Sequence, residues 1–175
     1  MFIEKIKIGN DVPNDVNAII EIPMNQQYIK YEIDKNSGAI VVDRFLQVAM
    51  SYPCNYGFIP HTLAGDNDPL DVLVISKYPL LSGSIINVRP VGGLTMIDES
   101  GQDEKILAVP HSKVDSSYDS IRDITDLDTD LKQCILHFFE HYKDLDKNKW
   151  VKVEDFFNQS TAKAIINQSI KTNLS

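Results

Sequence analysis

Two periodicities divide the chain. Through its first two thirds, short apolar runs alternate with polar positions or end abruptly at Pro, Gly and Asn. The stretch "AIIEIP" predicts a strand stopped by Pro23, and "YIKYEIDKNSGAIVVDRFL" predicts two strands joined by a turn at Asn36-Ser37-Gly38. In the first of these, Ile29, Tyr31 and Ile33 share one face, while Lys30 and Glu32 share the other. "PLDVLVIS" carries apolar residues at both parities, the pattern of a strand covered on both faces. "SIINVRPVGGLTMID" and "EKILAVP" flank a turn at Glu99-Ser100-Gly101-Gln102. The period then changes. In "DLKQCILHFFEHYKDL", Leu131, Cys134, Ile135, Phe138, Phe139, Tyr142 and Leu145 recur at three- and four-residue steps, which predicts an amphipathic helix. A short strand, "KWVKV", precedes a second helical pattern, "TAKAIINQSIK", with Ser160 expected as its cap. Strands first and helices last predict an α+β fold with a curled antiparallel sheet or small barrel, not doubly wound alternation.

Composition narrows the function classes. The 175 residues suit one domain over 1–175, with Asp+Glu 25 against Lys+Arg 17 and a net charge of -8. That balance argues against non-specific nucleic-acid binding. It leaves room for an anionic small molecule wherever a few cations reverse the local charge. "MFIEKIKIGNDVPNDV" lacks the apolar core of a signal peptide, and no apolar run approaches a membrane span. Cys54 and Cys134 lie far apart with no CxxC pair, which favours a reduced, cytoplasmic setting over structural zinc. Cys54 is expected to be a small buried filler rather than a nucleophile. Neither GxGxxG nor GxxxxGK[ST] occurs, so dinucleotide and ATP sites of those kinds are unsupported.

The stretch "DNDPLDVLV" changes the picture. One Asp beside Asn and Pro is an ordinary turn. Three aspartates within six positions are not, because two carboxylates roughly 4 Å apart repel by about 4 kcal/mol at an effective dielectric near 20. Asp71, moreover, leads into Val and Leu, where an unpaired charge is costly. A divalent cation resolves both problems. Oxygen-only ligands suit Mg2+, Mn2+ or Ca2+, and an EF-hand fails because its fifth, sixth and twelfth places would be Leu70, Asp71 and Lys77. Asp98 and Asp103 form a second acidic group across the predicted hairpin. Whether the two groups meet is not fixed by sequence. Lys30, Arg44, Lys105 and Lys143, with Tyr142, are cations and hydroxyls suited to phosphate, so the residues themselves point towards metal-assisted phosphate chemistry.

The acidic motif Asp66-Asn67-Asp68-Pro69-Leu70-Asp71-Val72 resembles that of the family I soluble inorganic pyrophosphatases in their short bacterial form. The likeness runs in order through "IEIP", "KYEIDK", "DRF", "YPCNYGFIPHTL", "YPLLSGS", "RPVGGLTMIDESGQDEKILAVP", "HFFEHYKDL" and "WVKVE", roughly residues 15 to 155. The resemblance implies an OB-like five-stranded antiparallel β-barrel with flanking α-helices, a cytoplasmic homohexamer, and hydrolysis of Mg-pyrophosphate to two orthophosphates. It implies metal-activated water attacking directly, without a phosphoenzyme. By matching position, Asp66, Asp71 and Asp103 would hold Mg2+, with Asp98 assisting a further ion and Glu32 near another; Mn2+ or Zn2+ would be substitutes. Asp68 would be the catalytic base. Lys30, Arg44, Tyr56, Lys105, Tyr142 and Lys143 would bind the phosphates, and Glu21, Tyr52 and Glu99 match further polar positions. Asn67 stands where the family often has glycine, a change that Asn tolerates because it accepts left-handed turns.

His137 and His141 are spaced for zinc on the long helix, but "HFFEH" is not H-E-x-x-H, so a surface or subunit-contact role is the expectation. Two rival functions stay open at this point. One is a non-catalytic module whose acidic rim buffers divalent ions, which would need no phosphate clamp. The other is hydrolysis of nucleotide or polyphosphate anhydrides.

Overall fold

The computed structural model describes residues 3–99 and 101–170. Among these residues eight strands and two α-helices form, in the order β1 (Val16–Ile22), β2 (Ile29–Ile33), β3 (Ile40–Phe45), β4 (Asn55–Phe58), β5 (Asp71–Val74), β6 (Ile85–Asp98), β7 (Gly101–Pro110), α1 (Thr129–His141), β8 (Val151–Asn158) and α2 (Gln159–Ser169). Strands β1, β4, β5, β7 and β6 are neighbours in that order, and β1 also pairs with β6, so five strands close into a ring. β8 adds outside the ring on β6, and β2 with β3 makes a separate two-stranded hairpin. The predicted strands form, with two differences. The segment after "KWVKV" extends to Asn158 because β6 is long enough to pair with both β7 and β8. The short β4, interrupted by a glycine, carries too little pattern to be read as a strand from sequence.

The expected all-antiparallel ring needs one correction. β5 and β7 run parallel, with Asp71 beside Lys105 and Val72 beside Ile106. A closed ring with an odd number of strands cannot alternate direction throughout, so at least one neighbouring pair has to be parallel. β4 owes its place to Gly57. A Cβ there would stand 2.0 Å from the carbonyl oxygen of Ile19, so β4 packs against β1 only without a side chain at that point.

Side-chain alternation splits the core into two layers. Leu73, Leu94, Met96, Leu107 and Val109 point to one layer, completed by Ile135, Phe138 and Phe139 of α1. Val72, Val74, Ile106 and Ala108 point to the other, completed by Ala162 and Ile166 of α2. β5 is thus covered on both faces, as its sequence predicts.

The helices differ from expectation in detail. α1 is capped by Asp128, whose side chain accepts from the Asp130 and Leu131 amides at 3.0 and 3.1 Å. Cys134 of its predicted stripe is exposed, since the buried face is centred on Ile135, Phe138 and Phe139. The helix ends at His141, so Leu145 falls in the following turn and is exposed. Asn158, not Ser160, caps α2: its side chain accepts from the Thr161 amide at 2.9 Å, two residues earlier than expected. Cys54 is buried and its thiol is pushed up to about 12 by burial, consistent with a filler rather than a thiolate nucleophile. Of the predicted turn between β6 and β7, Ser100 lies outside the described residues. No described helix is long and apolar enough to cross a membrane.

Candidate active site

Parity explains where the charge gathers. Asp71 continues the face of β5 that carries Leu73. Asp103 and Lys105 continue the face of β7 that carries Leu107. Asp98 follows Met96 and Leu94 on β6. The first core layer therefore ends in carboxylates and an ammonium instead of apolar side chains. The hairpin β2–β3 stands beside that end. There the strand register sets Lys30 opposite Arg44. Tyr142 and Lys143 follow the C-terminus of α1, and Tyr142 stacks on Phe138 with ring centroids 5.3 Å apart.

Together these elements line a cleft of about 610 Å3. Every site residue named from the sequence lies on it except Tyr52: Glu21, Lys30, Glu32, Arg44, Tyr56, Asp66, Asp68, Asp71, Asp98, Glu99, Asp103, Lys105, Tyr142 and Lys143. Tyr52 lies underneath, buried, with its ring 5.7 Å from that of Tyr56 and 4.6 Å from that of Phe138. The two acidic groups, far apart in sequence, do meet.

The turn before β5 is built from its own side chains. The Asp68 amide donates to Asp66 Oδ1 at 3.0 Å, the Ala64 amide donates to the Asp68 carbonyl at 2.7 Å, and Asn67 adopts φ 70°. Asn67 is thus in the left-handed conformation anticipated for it. Asp66 and Asp68 are exposed at this lip. Among the described residues, nothing hydrogen-bonds or ion-pairs with the Asp68 carboxylate.

Deeper in, Lys105 is only 2% exposed. Its ammonium lies 2.7 Å from Asp71 Oδ2 and 2.9 Å from Asp103 Oδ2, and Tyr56 donates its hydroxyl hydrogen to Asp71. Burial alone would lower the Lys105 pKa, but Asp71 and Asp103 outweigh it and the ammonium is held well above its ordinary range. Burial raises the Asp103 carboxyl. Lys105 opposes that rise, while Asp71 and Asp66 add to it, and the net direction is up. Burial, then Asp71, hold the Tyr56 hydroxyl well above the usual phenol value, and burial raises Tyr142 as well. Both phenols are therefore donors at neutral pH.

The other cations are shared in the same way. Lys143 contacts Asp98 at 2.7 Å and Glu99 at 3.5 Å. Lys30 bonds Glu32 and lies 3.2 Å from Asp43. The buried Glu21 accepts from the Ile33 amide at 2.8 Å and from Lys35 at 2.9 Å, tying the hairpin to β1. Sequence reasoning passed over Asp34, Lys35, Asp43 and Lys149, which also line the cleft. Asp43 was legible only as the neighbour of Arg44. The others are charged residues with no pattern to separate them from surface residues.

Lys105→Met is expected to destabilise the metal-free protein by about 2–4 kcal/mol. Removing one member of a buried ion cluster strands its partners, here with the cost reduced because both aspartates keep some water. Urea denaturation in EDTA measures this, and an unchanged midpoint would contradict it.

The donor set suits a hard divalent cation, since the lining holds oxygen ligands and no His or Cys. Among the described residues no three such side chains are gathered closely enough to hold an ion by themselves. Mg2+ does not need such a cage: it uses one or two carboxylates, keeps waters and takes substrate phosphates as ligands. His137 and His141 are elsewhere, with rings 4.6 Å apart and His141 Nδ1 2.8 Å from Asp144.

Comparison with known proteins agrees with this chemistry. A family model described as inorganic pyrophosphatase matches residues 18–173. The chain is 61% identical over 171 residues to an inorganic pyrophosphatase of Rickettsia conorii, covering 97% of this chain and 98% of that one. It is 58% identical over 166 residues to the inorganic pyrophosphatase of Escherichia coli K12, covering 95% and 94%. A crystal structure of an inorganic phosphatase from Anaplasma phagocytophilum superposes with a TM-score of 0.93 at 48% identity, covering 95% of this chain and 97% of that one. With an acidic, lysine-clamped cleft and matches of this extent, the chain belongs to the inorganic pyrophosphatase family.

Proposed function

We propose that the chain carries out its family's reaction, hydrolysis of pyrophosphate to two orthophosphates, by direct attack of water with Mg2+ as cofactor. The observation that supports this is the convergence in one cleft of hard oxygen donors with Lys30, Arg44, Lys105 and Lys143. Asp66, Asp71 and Asp103 are the proposed metal ligands, with Asp98 assisting at a further ion and Glu32 near another. When bound, Mg2+ lowers the pKa of a coordinated water and offsets charge on the substrate.

The chain's own groups do the rest. Asp68, exposed at the lip without a cationic partner, accepts the proton of the attacking water. Lys30, Arg44, Lys105 and Lys143 hold the two phosphates, and the protonated hydroxyls of Tyr56 and Tyr142 donate to them. These fixed donors stabilise the charge that develops on the leaving phosphate. Glu21 holds the hairpin through Ile33 and Lys35, Tyr52 supports Tyr56, and Glu99 flanks Lys143. No side chain is required to carry a phosphoryl group. In the same reading the ring is an OB-like barrel, and the protein is a cytoplasmic homohexamer to which α1 contributes contacts.

The test is phosphate release from pyrophosphate and from ATP, each with Mg2+. Pyrophosphate is expected to be by far the better substrate. Equal rates on the two would replace this reading with a general anhydride hydrolase.

A further inference from the structure

Arg44 is held from two sides. Its Nη1 donates to Asp43 Oδ2 at 3.0 Å, and its Nε faces Asp146 Oδ2 at 3.4 Å. Both Arg44 Nε and Asp146 Oδ2 are closed off from solvent, and among the described residues neither has a hydrogen-bond partner. They face each other as an ion pair between partly buried side chains. Asp43 belongs to the same strand as Arg44, whereas Asp146 lies in the turn after α1. That turn is closed by the Asp146 amide on the Lys143 carbonyl at 2.9 Å. It also carries Lys143 and Lys149 into the cleft. Among the described residues, the hairpin β2–β3 shares no strand pairing with the larger sheet. The Arg44–Asp146 pair therefore joins the hairpin to the turn that supplies cations from the opposite side.

Asp146 does not line the cleft. Whatever it does to substrate, it does through Arg44. We propose that Asp146 is a positioning residue: with Asp43 it fixes the plane of the Arg44 guanidinium and leaves its remaining N–H groups directed at a phosphate. A planar fork binds phosphate well only when its orientation is set beforehand, which is the advantage of arginine over lysine at such a place. A carboxylate hydrogen-bonded at Nη1 and a second charge 3.4 Å from Nε restrict both the swing of the side chain and the rotation of its head. The inference rests on the reading of Arg44 as a phosphate ligand.

A double-mutant cycle tests it. Asp146→Asn is expected to raise KM for Mg-pyrophosphate about tenfold, the size of one charge-assisted contact, with kcat changed by less than about twofold. Added to Arg44→Gln, the same change is expected to do almost nothing. Asp146→Glu, which moves the charge by one methylene, is the second variant and should show the same split in smaller measure. A purely structural clasp would lower Tm without this dependence on Arg44. Calorimetric binding of methylenediphosphonate with Mg2+, run through the same four proteins, reads the positioning without turnover. A wild type that binds the diphosphonate but releases no phosphate from pyrophosphate would therefore end the proposed activity and not this role. An unchanged KM and affinity in Asp146→Asn, or an equal loss with and without Arg44, would overturn the inference.

Discussion

Removal of divalent cations with EDTA is expected to stop phosphate release from pyrophosphate, and excess Mg2+ to restore it. The cleft lining carries ten carboxylate side chains against six cationic ones, a formal excess of four negative charges facing a polyanionic substrate. Most of these cations, furthermore, are already engaged. Lys105 is shared by Asp71 and Asp103, Lys143 by Asp98 and Glu99, Lys30 by Glu32 and Asp43. Bare pyrophosphate would have to compete for each ammonium with a carboxylate held close beside it. Opposed charges near a protein surface interact by about 4 kcal/mol at 4 Å, so the competition is unfavourable at several points at once. Positive charge therefore has to enter with the substrate. Turnover in EDTA at the rate seen with Mg2+ would refute the proposal. A second readout is thermal stability: Mg2+ alone should raise Tm by offsetting the burial, and after it the repulsion from Asp71 and Asp66, that raise Asp103.

Asp68→Asn is the second change of large effect, expected to lower kcat by about 10²- to 10⁴-fold, the usual contribution of a positioned general base. The substitution keeps shape and removes charge. Its main-chain role is retained, because the Ala64 amide bonds the Asp68 carbonyl and the Asp68 amide bonds Asp66, neither through the Asp68 side chain. The fold and Mg2+ binding should therefore persist, which separates loss of the base from loss of the turn. Asp71→Asn makes a contrast, since that carboxylate is bonded by both Lys105 and Tyr56. Single-turnover phosphate release with saturating Mg2+ measures the effect. A rate for Asp68→Asn equal to that of the wild type would remove Asp68 as the base.

Much of this was readable along the chain. Most strands announced themselves through alternation and punctuation, and α1 through its three- and four-residue steps. Asp66, Asp68 and Asp71 stood out because crowded carboxylates beside an apolar run have a physical cost that composition alone does not explain. Cys134 and Leu145 were misplaced because periodicity fixes spacing and not where a helix turns its face or stops. Ser160 lost the cap to Asn158 because β8 runs further than its short apolar signature. Asp43 and Asp146 carry no signal of their own, since each matters only through its distance to Arg44.

The sequence determined the local elements, the order of strands before helices, the acidic turn with Asn67 in its left-handed place, and the inventory of oxygen ligands and cations. These follow from neighbours in the chain: side-chain parity, turn chemistry and local repulsion. Only the tertiary structure decided that the strands close into a ring, that β5 and β7 lie parallel, and that Asp71 comes beside Lys105 and within reach of Asp103. The reason is that pairing between distant strands brings together residues as far apart as Asp71 and Lys105, 34 positions from one another in the chain. It also sets which end of the core layer their charged side chains occupy.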